Sequence, residues 1–173
     1  MENKELTEQI NIQGTVIGEF IDVITRYDER GEVVAVEERP LTKNIITAPI
    51  STLVAGLIQG TYAGNYSFWA VGTGSQTSSP NLSNLVAEYA RKQVAIAFVD
   101  QNNANTNTPT GRIIMTVSWA KGELGTVTLT EFGIFSGAGA SQSGGGLMMD
   151  YVPHQPISLD STLSLARKIY FQF

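Results

Sequence analysis

Residues 163 to 173 alternate so regularly that they fit only one kind of regular structure. Leu163, Leu165, Arg167, Ile169, Phe171 and Phe173 share one parity, and Ser164, Ala166, Lys168, Tyr170 and Gln172 share the other. Successive side chains of a strand point to opposite faces, so this segment is a strand with one face turned into a sheet's interior. The same rhythm runs through Ile113, Met115, Val117 and Trp119, and through Val94, Ile96 and Phe98. It appears more loosely in Ile17, Ile21 and Val23, set against Glu19 and Asp22. Ile21–Ile24 and Val33–Val36 flank Tyr27-Asp28-Glu29-Arg30-Gly31, which reads as a hairpin turn with Gly31 free to become left-handed.

Two departures from that rhythm shape the expected fold. In Gly125–Phe135, Val127 and Leu129 share one parity while Phe132 and Ile134 take the other, so a bulge or bend is expected at Thr130-Glu131. Two short helices are also expected. Ile50, Leu53, Val54, Leu57 and Ile58 follow helical spacing, with Thr47 as cap, Pro49 in the first turn and Gly60 as stop. The second runs from Pro80 to Arg91, with Leu82, Leu85, Val86 and Tyr89 on one stripe and Glu88 and Arg91 three apart. That pair reads as surface neighbours or as an inter-subunit salt bridge. The expected architecture is a mainly antiparallel β-sandwich, a jelly roll being one candidate arrangement, with two short α-helices at an edge or end. Residues 1–13 are expected to form a flexible N-terminal arm and residues 14–173 a single β-rich domain.

Composition narrows the chemistry. A chain of 173 residues, 42% hydrophobic, suits one domain that buries roughly 70% of the surface its unfolded form exposes. With no cysteine there is no disulfide, thiolate metal site or cysteine nucleophile. Sixteen acidic against eleven basic residues give a net charge of −5, and no Lys/Arg run forms a stripe for a phosphate backbone, so nucleic acid is not an expected partner. No apolar run approaches the ~18 residues of a membrane span, so membrane insertion and a secretion signal are not expected either.

Phe68-Trp69-Ala70-Val71-Gly72-Thr73-Gly74 runs an apolar strand into a two-glycine turn. A phosphate loop would close with Gly-Lys-Ser/Thr, whereas Ser75-Gln76-Thr77-Ser78-Ser79-Pro80 follows Gly74. A dinucleotide fingerprint wants a third glycine where Thr77 stands. The turn reads as architecture. Glu131 reads as a rim carboxylate capping backbone amides, with catalysis as the weaker reading because no partner acid or histidine lies near it in sequence. His154, the only histidine, stands between Pro153 and Pro156 without a Gly-x-Ser-x-Gly elbow; a general-base role stays open. Asp28-Glu29-Arg30-Gly31-Glu32 lacks the order of a calcium loop. Tyr62, Tyr66, Phe68 and Trp69 could form a sugar-stacking face, but Phe68 or Trp69 is expected in the core because neighbours on a strand point opposite ways. Three polar loops, 72–81, 100–111 and 136–146, are long for a compact domain. The third holds five glycines and nothing apolar larger than alanine, so it is either mobile or gripped by a neighbour.

Several of these motifs recur in a fixed order. Asn44-Ile45-Ile46 leads into a short apolar helix, then come Trp69–Gly74, Leu85-Val86-Ala87-Glu88-Tyr89-Ala90-Arg91, Thr130-Glu131-Phe132-Gly133-Ile134-Phe135, and the closing strand Ile169–Phe173. This order resembles small structural proteins of tailed bacteriophages. In that family an Ala-Val-Gly-Thr-Gly turn, an acidic residue and an arginine on the next helix, and a Glu-x-Gly-x-Phe strand follow in sequence. The resemblance spans about Gly14 to Phe173; the glycine-rich stretch Gly137–Gly146 departs from it.

The resemblance implies a non-enzymatic virion protein of the tail, collar or neck, or fibre-attachment region, made in the host bacterial cytoplasm, that works by assembly. Its partners would be copies of itself and other virion proteins, with no cofactor and no metal. Trp69, Gly72, Gly74, Glu88, Arg91, Glu131 and Gly133 become candidate assembly or turn positions. The alternatives are a carbohydrate-binding module of a receptor-binding or tail-fibre protein, with Tyr62, Tyr66 and Trp69 or Trp119 against a host-surface glycan, and a capsid decoration protein. An enzyme using Glu131 or His154 is the least favoured reading.

Overall fold

The computed structural model describes residues 17–43, 45–46, 67–77, 79 and 81–172. Its strands are β1 (Ile17–Tyr27), β2 (Val33–Lys43), β3 (Ile45–Ile46), β4 (Ser67–Gly72), β5 (Glu88–Gln93), β6 (Ala95–Val99), β7 (Asn105–Thr106), β8 (Arg112–Trp119), β9 (Val127–Ser136), β10 (Leu147–Leu159) and β11 (Leu163–Gln172). They form a six-stranded sheet ordered β2-β1-β11-β8-β6-β7 and a five-stranded sheet ordered β3-β10-β9-β4-β5, and every pairing is antiparallel. One buried cluster joins the facing sides: Phe20, Met115, Val117, Leu165, Ile169 and Phe171 from the first sheet meet Trp69, Leu129, Phe132, Ile134, Val152 and Ile157 from the second. Burying each such side chain contributes about 1.5–3 kcal/mol, which makes this layer the main source of stability.

Three turns are closed by the same device, an aspartate that takes the amides ahead of it. Asp28 Oδ1 accepts from the backbone N–H of Arg30 and Glu32, and Gly31 turns left-handed at φ 84° between β1 and β2. Asp100 Oδ1 accepts from Asn102 and Ala104 after β6, and Asp160 Oδ1 from Thr162 between β10 and β11. The expected N-terminal hairpin and the inward parity of Leu163, Leu165, Arg167, Ile169 and Phe171 are both present. The phase change at Thr130-Glu131 is also real. Pro153 pairs with Glu131 and Ile157 with Leu129, so His154, Gln155 and Pro156 face the single residue Thr130. Leu129 and Phe132 therefore both reach the inner core.

The expected helices require correction. No helix occurs among the described residues, which form two sheets, so the picture of a sandwich carrying two helices is corrected. The first expected helix, Ile50–Ile58, and the arm at residues 1–13 lie outside the described residues. The second is instead a chain of turns and bends that becomes β5 at Glu88. The physical reason is visible in its amides: Val86 and Ala87, whose N–H groups a helix would send back four residues, donate to the carboxylate of Glu131 instead. The apolar stripe then splits, with Leu85 buried and Val86 and Tyr89 exposed.

The phase of β1 and the exposure of β6 also differ from the expectation. In β1 the inward residues are Phe20, Asp22 and Ile24, with Ile21 and Val23 half-buried on the other face. Asp22 stands directly opposite Arg167, whose parity β11 fixes, and that pairing sets the phase of β1. Ile96 and Phe98 pair opposite Met115 and Ile113, yet each is 38% exposed, because only the two-residue β7 follows β6 at that margin of the sheet.

Candidate functional site

The outer face of the second sheet gathers most of the singled-out residues. Ala70 and Phe135, with Met148 and Tyr151 of β10, bury themselves there under Leu85 and Ala140 of the two covering loops. Phe68 packs against this second cluster while Trp69, its neighbour, sits in the inner core, so the two aromatics do face opposite ways.

At the centre of this face Glu131 is fully buried. Its Oε1 accepts from the backbone N–H of Gly74 (3.2 Å) and Ala87 (2.8 Å). Its Oε2 accepts from Val86 N–H (3.2 Å) and from the Tyr151 hydroxyl (3.1 Å). Thr130 Oγ1 donates to Gly74 O at 2.5 Å, and Thr73 N–H donates to Ala87 O at 2.9 Å. The two glycines are required by proximity: a Cβ on Gly72 would lie 2.6 Å from Ala87 O, and one on Gly74 would lie 2.5 Å from Val86 Cβ and 2.6 Å from Glu131 Oε1. A glycine turn whose amides converge is a ready anion site, and here the anion is the protein's own carboxylate. Burial, with the Glu131 charge adding to it, pushes the Tyr151 phenol up to about 12, so it remains a donor.

Glu88 and Arg91 form the second construction. Residues three apart on a regular strand face opposite ways, but β5 has a bulge: Ala70 pairs with Arg91, Val71 with Ala90, and Gly72 with Glu88. Both side chains therefore fall on the outer face and pair in bidentate fashion, Nε to Oε1 at 2.8 Å and Nη2 to Oε2 at 2.7 Å. Arg91 also lies 3.9 Å over the Phe135 ring, and its Nη1 donates to Ala140 O (2.7 Å) and Gly145 O (2.9 Å). The glycine-rich loop is thus gripped by the chain's own ion pair. Gly133 completes the face, since a Cβ there would meet Asp150 O and Met148 Sδ at 3.0 Å.

Sequence reasoning missed a third construction, between the sheets. Arg167 is fully buried, with Nε and Nη2 on the two oxygens of Asp22 and its guanidinium carbon 3.8 Å from the Phe132 ring centroid. Phe20 and Trp69 complete an aromatic box around it. The signal was present: an arginine on the apolar parity of β11 needs an anionic partner inside. His154 lies nearby, its ring 5.9 Å from that of Phe132. Burial first, then the positive Arg167, pushes its imidazole down to about 4.

These placements decide what the groups can do. A general base needs a lone pair open to a substrate, whereas the Glu131 oxygens meet four donors and no solvent. Its carboxylate acts as a bracket, buried where the sequence placed it at a rim. Trp69 and Trp119 are core residues and offer no ring to a sugar; Tyr62 and Tyr66 lie outside the described residues. Among the described residues no group of three or more His, Asp or Glu is placed to hold a metal ion, and no helix is long and apolar enough to cross a membrane. Protein-family models, curated proteins and solved structures all yield no match to this chain.

Proposed function

We propose that this chain is a structural subunit of a tailed-phage virion, a homo-oligomer of the tail, collar or fibre-attachment region that works by protein–protein assembly. The observation that carries the assembly reading is the edge at β2. Among the described residues β2 pairs only with β1, and its Val33, Val34 and Val36 are 55–60% exposed. Edge strands of monomers are normally blunted by charge or proline. Here Glu37, Glu38 and Arg39 guard the edge beyond Val36 and leave Val33–Val36 open. The buried brackets on the opposite sheet support the same reading: they hold long loops in fixed shape without a partner, which suits a subunit that presents a rigid surface. The order of motifs shared with phage structural proteins supplies the virion context.

The test is the solution mass by light scattering of the chain and of a Val34→Lys/Val36→Lys variant. A closed oligomer that falls to monomer in the variant is expected. A monomeric chain with no affinity for phage structural proteins would sink the proposal, and an oligomer untouched by the substitutions would remove β2 from it.

A further inference from the structure

His154, Gln155 and Pro156 leave the ladder that β10 makes with β9, so they can move without unpairing the strands on either side. They are held from across the sandwich: Arg39 of β2 donates from Nη1 to Gln155 O (3.2 Å) and from Nη2 to Pro156 O (3.3 Å). The His154 Nδ1 is 2.8 Å from the same Gln155 O. A carbonyl only accepts, so this network assigns the proton to Nδ1 and leaves Nε2 as the bare lone pair. That Nε2 is buried and has no hydrogen-bond partner among the described residues.

We propose that the 154–156 excursion is a proton-operated latch on the seam between the two sheets, shut while the His154 ring is neutral and released when the ring takes a proton. Three charged groups from three packed elements bear on the ring: Arg167 of β11, Asp22 of β1 and Arg39 of β2. Two are positive, and the one carboxylate already has both oxygens on Arg167. Glu37 is engaged with Arg39 Nε at 3.0 Å. A proton on Nε2 would create a buried cationic donor facing two guanidiniums, with no acceptor bonded to it among the described residues, so the ring is charged by swinging out to water. Release breaks the two Arg39 bonds that join β2 to β10.

The pH dependence follows from where each form takes its proton. In the closed form burial and Arg167 push the ring down to about 4, whereas a freed ring titrates near 6.5. As pH falls from 6.5 toward 4 the open form holds a proton that the closed form lacks. Opening is then favoured by up to about tenfold per pH unit, and the effect levels off below pH 4.

Because His154 is the only histidine, its ring resonance can be followed alone by NMR. The expected result is a ring midpoint below 6.5, with the amides of Arg39, Gln155 and Ile157 moving along the same curve, and those amide changes lost in His154→Gln. Carboxylates titrate in the same range, and the variant separates their effect. Arg39→Gln, which removes the clasp from the other side, is expected to move the ring midpoint up toward 6.5. A ring that titrates at 6.5 in the unaltered chain, neighbouring amides that ignore the ring, or amide changes that persist in His154→Gln would each overturn the latch.

Discussion

Asp22 and Arg167 meet across β1 and β11 inside the sandwich, whereas Glu88 and Arg91 meet along β5 on the outer face of the other sheet. Both are bidentate, the inner one is fully buried and the outer one partly so, and both arginines stack on a phenylalanine, Phe132 or Phe135. They differ in what the remaining Nη1 does. In Arg91 it reaches two carbonyls of the glycine-rich loop; in Arg167 it has no hydrogen-bond partner among the described residues. The inner pair therefore fixes the phase of two strands, while the outer pair converts a loop that cannot bury itself into a fixed surface. A buried ion pair gives little net stability over an apolar replacement, so what these two supply is position.

The comparison breaks first at the inner pair. Asp22→Ala leaves the Arg167 charge alone in the core and is expected to cost about 3–5 kcal/mol in urea denaturation. The double change Asp22→Leu/Arg167→Met is expected to be near neutral or stabilising. A single variant that costs no more than the double one would show that Arg167 finds another partner or water.

At the outer pair, Arg91→Met is expected to cost about 2–3 kcal/mol through the lost charged hydrogen bonds. Its signature is local: amide-exchange protection falls across residues 137–146 while the strands of the inner core keep theirs. A uniform loss of protection would mean that the loop and the sandwich unfold as one unit, and the distinction between the pairs would fail. Glu131→Gln should cost ~2 kcal/mol by the same reasoning, and removing the charge beside Tyr151 should bring its phenol below the present value of about 12. An alkaline absorbance titration reads that shift, and an unmoved midpoint would leave burial as the sole cause.

Much of the sheet core was legible because period two is a strong signal on long strands. Residues 163 to 172 and 113 to 119 were placed on the correct faces. The phase switch at Glu131 was legible as well, since two halves of one segment asked for different faces. The helix expected at 80–91 failed because Leu82, Leu85 and Val86 satisfy helical spacing, while Glu131, the competing acceptor for the amides of Val86 and Ala87, lies 44 residues away from Ala87. Strand β1 was read one residue out of phase because Asp22 was taken as a polar outward position. Only its partner, 145 residues on, reveals it as buried. Long-range partners of buried carboxylates, a guanidinium for Asp22 and backbone amides for Glu131, are the information a periodicity scan does not contain, and they decided both errors.

The smallest expected effect sharpens the comparison from the exposed side. Lys92 of β5 lies next to Arg91 in sequence but reaches the other way, to Glu123 in the β8–β9 turn, at 2.8 and 2.9 Å, with both side chains about two-fifths exposed. The Lys92 bond, and after it the Ala120 backbone amide, hold the Glu123 carboxyl below its ordinary value. In Lys92→Met that carboxyl is expected to titrate higher, while unfolding free energy changes by less than ~0.5 kcal/mol, because water already screens the pair. Molar salt, with a Debye length of about 3 Å, should erase even that difference while leaving the Asp22→Ala cost nearly intact. If salt instead weakened both variants' effects equally, the inner pair would be reached by ions and its burial would be wrong; if it weakened neither, Lys92 and Glu123 would be acting through packing of the lysine stem against the turn.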